Sequence, residues 1–249
     1  FALEESLFLV DPQRIWTVNE DDSLDSDNEF EDEDTRIQGQ LRDFMDGMDG
    51  ERGTMSTRLR VQALANIVAD VKPFATSAGR KEAFADLIGY SENTDTGDWY
   101  YKPLTAEILY DVYDGTCNLD HMFRNPLLLK ITASLIRGAQ GAVGLLEGRS
   151  RMPQAKCVER MYRIKRTSPG MIANAAVLAI WLHSADIELV QIGNQTEINY
   201  AKRYEIYLAR ICRGLRMRKR WARNLFTYWD SILFPHAEDS LGDNLSANQ

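Results

Sequence analysis

Cys117 and His121 lie four residues apart, a spacing that sets two side chains on one face of a helix. They could supply half of a zinc site, but four ligands are needed and no Cys-x-x-Cys or His-x-x-x-His pair completes the set. A hydrogen-bonded histidine is the reading this pair supports. Glu107, Asp111, Asp114 and Asp120 form the carboxylate group nearest to a two-metal nuclease pattern. Such carboxylates usually stand on the strands of a mixed sheet, and no sheet is expected here. His121, His183 and His236 are scattered, and without a Gly-x-Ser-x-Gly elbow a hydrolase triad has no support. His183 is expected to close a helix, where a C-terminal cation is favourable. The glycines from Gly138 to Gly144 do not form a Walker or Gly-x-Gly-x-x-Gly loop. No catalytic residue, metal or cofactor is assigned, and the chain is expected not to be an enzyme.

The residues that do form a pattern are cations. On a helix running from a Thr196 cap to about Arg213, with Gly214 at its end, Lys202, Arg203, Arg210 and Arg213 share one face. Tyr200, Tyr204, Tyr207, Leu208, Ile211 and Leu215 share another. On a second helix, from about Leu215 to Leu233, Arg216, Lys219, Arg220 and Arg223 lie opposite Met217, Trp221, Leu225, Tyr228 and Ile232. Arg218 is the exception and falls near the apolar edge. Solvated faces of amphipathic helices would look like this. The density of charge also fits a surface that neutralises phosphates. The motif Arg216-Met-Arg-Lys-Arg220 resembles a nuclear import signal, but one embedded in a helix and packed at Met217.

Charge is polarised along the chain. Residues 1–50 hold 16 acidic and 3 basic side chains, a net of −13, whereas the remaining 199 residues carry a net of +5. Arg149 to Arg223 alone holds 16 basic against 5 acidic residues. The run Asn19 to Asp34 (NEDDSLDSDNEFEDED) repels itself and cannot bury enough apolar surface to offset the entropy of ordering. Residues 1–53 therefore read as an acidic arm or linker, partly disordered, 54–238 as a helical domain, and 239–249 as a polar tail. Three cysteines, Cys117, Cys157 and Cys212, do not form a disulfide framework. No apolar run is long enough to span a membrane. The chain is expected to be soluble and intracellular.

The elements that must position the cations are read from periodicity and punctuation. Ser56 is expected to cap a helix whose stripe is Val61, Leu64, Ile67, Val68 and Val71, stopped by Pro73. A short helix follows over Lys81–Ile88, then a polar turn at Asn93–Asp98. Leu104, Ile108, Leu109 and Val112 suggest another helix. Asn125-Pro126 and Ser168-Pro169 mark helix starts, a cap followed by proline at the first helical position. The helix Gly170–His183 is apolar on nearly every side and is expected at the centre of the core. Asp186–Gly193 reads as a short strand or extended connection. The fold class is all-α: a single irregular helical domain with a central apolar helix, preceded by the acidic arm.

Three segments then stand out in order: FRNPLLLKITASLIRG (Phe123–Gly138), TSPGMIANAAVLAIWLHSAD (Thr167–Asp186) and LFTYWDSILFP (Leu225–Pro235). Over roughly residues 95–238 the chain resembles an uncharacterised helical domain of basidiomycete fungi, found in many copies per genome. The resemblance implies a fungal source and a helical fold, and it brings no activity and no site residues. Its multiplicity implies an association with mobile elements, which leans toward nucleic acid. The expected function is a non-enzymatic binding module that associates with nucleic acid or chromatin, or another polyanion, through its basic helices. A nuclear address is in keeping with that. The alternative is a protein-interaction or self-assembling scaffold whose aromatic surfaces bind other chains or further copies of itself.

Overall fold

A computed structural model describes residues 57–92, 95–149 and 157–235. The acidic arm, the expected cap Ser56 and the 239–249 tail lie outside the described residues. In chain order, a π-helical stretch, Thr57–Ala63, runs into α1 (Leu64–Ile67), and a 3-10 turn, Lys72–Ala75, precedes α2 (Ser77–Phe84). Two antiparallel strands follow, β1 (Tyr90–Glu92) and β2 (Trp99–Tyr101), then a 3-10 turn, Glu107–Leu109. The rest is helical: α3 (Pro126–Arg137), α4 (Val158–Met161), α5 (Pro169–His183), α6 (Tyr200–Arg216) and α7 (Arg220–Leu233). The chain is therefore mainly helical rather than all-α. The strand pair arises where Tyr90, Trp99, Tyr100 and Tyr101, good strand formers, flank the polar turn, with Tyr90 opposite Tyr101.

Every residue of α5 is buried, which is what a helix apolar on all sides must achieve. Its start is the one expected: Ser168 Oγ accepts from Met171 N at 3.2 Å, with Pro169 in the first turn. α3 begins the same way, Asn125 Oδ1 accepting from Leu127 N at 3.0 Å ahead of Pro126. α3 and α6 pack on α5, and α7 packs on both α3 and α6. Trp229 in α7 is fully buried and donates from Nε1 to Phe123 O at 2.9 Å.

Several expected elements are relocated. In the first helix the wider π winding turns Leu59, Ala63 and Ile67 inward, while Val61 is 77% exposed. The helix expected over Leu104–Val112 is only the 3-10 turn, followed by an isolated bridge between Tyr110 and Met122. Thr196 does not cap α6. Asn199 does, accepting from Lys202 N at 2.8 Å, because Thr196 is bound to Asp186. Gly214 does not end α6 either: it lies inside the helix, where Trp221 packs so closely that a Cβ would meet the indole ring.

Beyond the end of α5 lies a buried polar knot. Asp186, 1% exposed, accepts from Gln195 N at 2.7 Å, Thr196 N at 3.2 Å and Tyr200 OH at 2.7 Å, and from the Thr196 hydroxyl. Gly193 packs against the same carboxylate with no room for a Cβ. Arg80 is buried beside it and donates from Nε to Ser184 O at 2.6 Å and from Nη1 to Phe74 O at 3.0 Å. Arg60 lies 3.9 Å over the Trp181 ring and donates to Trp181 O and Ile187 O. Burial, then the charge of Arg80, lowers the pKa of Arg60 to about 10.

His183 corrects the expectation of a helix-end cation. It packs edge-on against Phe74 and Phe84, and Nδ1 donates to Ala179 O at 2.9 Å. Burial lowers its pKa to about 4, so it is neutral in the folded protein. The unfolded chain protonates this histidine near pH 6.5 and the folded chain does not, so stability falls as pH drops through that window. Urea unfolding should show a loss of about 2 kcal/mol between pH 7 and pH 5 from this group. His183→Phe should flatten that part of the profile; an unchanged slope would show that His183 is not its source.

Candidate nucleic-acid interface

α6 and α7 are joined by a three-residue turn, Met217 to Lys219. Arg218 N donates to Leu215 O at 2.8 Å and Lys219 N to Gly214 O at 2.9 Å. This pair of bonds is a Schellman closure, and it requires a left-handed residue at the position Arg218 occupies, with φ 48°. Glycine takes that conformation without strain, and arginine does not. The closure turns Met217 outward, 50% exposed, so the Arg216–Arg220 motif is an exposed turn rather than a packed helix.

The eight expected cations divide. Arg213, Arg216, Lys219, Arg220 and Arg223 are exposed around this turn, and Arg218, set aside by the helical wheel, joins them at its tip. Arg213, Arg218, Lys219, Arg220 and Arg223 form no ion pair among the described residues. Lys202 is exposed near the other end of α6 and pairs with Glu205 at 3.1 Å. Arg210 is half-buried, 3.9 Å from Cys117 Sγ. Arg203 corrects the sequence reading outright: it is 5% exposed, points inward, and donates to Lys102 O at 2.8 Å and Tyr101 O at 2.5 Å. It anchors the strand pair to α6, together with Tyr207, whose hydroxyl donates to Pro103 O at 2.7 Å. Other cations lie toward the far end of α7: Arg124 stands 5.4 Å over the Tyr228 ring, Arg137 donates to Leu233 O, and the exposed Arg166 lies near Asp230.

The electrostatics of the turn are asymmetric. Arg213 and Arg216 sit in the last turn of α6, where cations complement the negative helix end. Lys219, Arg220 and Arg223 sit at the start of α7, the positive end of that helix. Lys219 is the N-cap residue, and no side chain among the described residues caps the helix. Ordinary capping would place Ser, Thr, Asp or Asn there. Each misplaced cation costs a few tenths of a kcal/mol to about 1 kcal/mol, and an anion at the turn would reverse that sign.

The other residues considered for chemistry are engaged elsewhere. His121 Nδ1 lies 2.9 Å from Asp111 Oδ1. Asp114 accepts from Thr116 N at 2.9 Å and Thr116 Oγ1 at 2.6 Å. Among the described residues no three His, Cys, Asp or Glu side chains converge on a metal position. No helix among them is long and apolar enough to cross a membrane.

Comparisons with known proteins add one positive finding. Residues 88–234 match the model of a family of unknown function, overlapping the stretch marked by the three sequence motifs. No curated protein and no solved structure matches. The match includes every cation of the turn and leaves out Arg60 and Arg80.

The strain at Arg218 gives a test of the turn itself. Arg218→Gly should stabilise the fold by about 1 kcal/mol, a rise in Tm of roughly 2–4 °C for a domain of this size. A drop in Tm in a thermal melt would mean that the arginine side chain holds the turn.

Proposed function

The chain belongs to the family of unknown function DUF6698, and since membership brings no activity with it, we propose from the surface alone that this is a non-enzymatic module binding the phosphate backbone of nucleic acid at the α6–α7 turn. The observation that carries the reading is the placement of Lys219, Arg220 and Arg223 at the uncapped positive end of α7, with Arg218 in a strained conformation beside them. Solubility alone does not call for cations there. It is served as well by charges at the favourable end of a helix or on its flanks. A polyphosphate reverses the sign of each local cost and releases its own counterions on binding. The exposure of Arg216–Arg220 also favours a nuclear address, since an import receptor reads basic side chains that stand clear of the core.

The test is fluorescence anisotropy with labelled duplex and single-stranded oligonucleotides over a salt series. Because residues 1–50 carry their own excess of carboxylates, it is run on the full chain and on a full-length variant with the acidic residues of 19–34 changed to amides. Six phosphate contacts predict a slope near −5 in log K against log salt on duplex, about a thousandfold loss between 50 and 200 mM. Arg216→Glu, Arg220→Glu and Arg223→Glu together should abolish binding without lowering Tm. No rise in anisotropy at tens of micromolar protein and low salt, in both chains, would end the proposal. Light scattering on the same samples would expose the scaffold reading as a concentration-dependent oligomer.

A further inference from the structure

We infer that the acidic run Asn19–Asp34 of the same chain docks on the α6–α7 turn and competes there with nucleic acid, an inference that rests on the turn being the polyanion site. The run holds ten carboxylates and no cation. It is the one segment of the sequence with that density of negative charge, and the turn presents six exposed cations, Arg213, Arg216, Arg218, Lys219, Arg220 and Arg223. A second copy of the chain is a poorer occupant through its folded part, because outside residues 1–50 the sequence has a net charge of +5. Reach does not forbid the contact. The 22 residues between Asp34 and Thr57 span up to about 75 Å when extended, against a diameter of about 40 Å for a body of this size. Tethering presents the run at an effective concentration on the order of millimolar, so even weak attraction gives high occupancy.

Carboxylates mimic phosphate in sign but not in geometry. Aspartate and glutamate side chains carry one charge each, and their paired oxygens accept from arginine forks as phosphate oxygens do. The contact therefore lowers the apparent affinity for nucleic acid by the fraction of time the turn is occupied.

The contact is read without nucleic acid by zero-length carbodiimide coupling, which joins a carboxylate to a lysine amine in direct contact. In the full chain at low protein concentration, mass spectrometry should find Lys219 joined to a residue of 19–34 within a monomer. The product should disappear in high salt and in Lys219→Arg, which keeps the charge but removes the amine. Anisotropy then compares the full chain with its amide variant. Occupancy near nine-tenths predicts about tenfold tighter binding for the variant. Absence of the coupled product together with equal affinities overturns the inference and leaves the binding site intact. A coupled product with no nucleic-acid binding by either chain overturns the competition and the proposed function together, while retaining the contact itself.

Discussion

A carboxylate that is almost wholly removed from water has to be hydrogen-bonded, and the placement of Asp186 follows from that requirement. Its partners come from the loop before α6 and from the first residue of α6, Tyr200. They fix where α6 begins and how it leaves the core. Arg80 and Arg60 close the other side by taking the carbonyls exposed at the end of α5, so a segment distant in sequence is tied to the same point. Removing one partner would leave an unmatched buried charge or carbonyl, which is costlier than the bond is worth. The same need keeps Gly193 free of a side chain.

From that anchor α6 runs 17 residues, about 24 Å of helix, to the cationic turn. The arginines along it show how position decides role. Arg203 lies near the anchored end, faces the strand pair and is fully engaged by backbone carbonyls. Arg213 lies beyond the reach of those carbonyls and is exposed. A burial difference of this kind separates a structural cation from one available to a partner, though both sit on the same helix and carry the same group.

What the sequence makes legible is local. A hydroxyl or amide followed by proline marks the starts of α3 and α5, because the cap bond and the fixed proline φ are both made within four residues. An all-round apolar stretch marks the buried α5. What is not legible depends on contacts made across the fold. Thr196 looks like a cap until Asp186 binds it, Gly214 looks like a helix end until Trp221 occupies the space beside it, and Arg203 looks solvated until the strand pair arrives. The helical wheel also continues through Met217 as though the helix did. It therefore places Arg218 near the apolar edge, and only the chain reversal brings that residue to the tip of the site.

The reversal also explains why net charge misleads here. The whole chain carries −8, and a long-range potential would repel a polyanion. At physiological ionic strength, however, exposed charges more than about 8 Å apart are largely screened. What matters at close range is therefore the local group, and the turn itself, from Arg216 to Arg220, holds four exposed cations and no carboxylate. The helix ends sharpen the distinction. α6 presents its negative end with two arginines to balance it, and α7 presents its positive end with three cations that do not. A capping hydroxyl or carboxylate at Lys219 would satisfy the helix end that these cations leave uncapped.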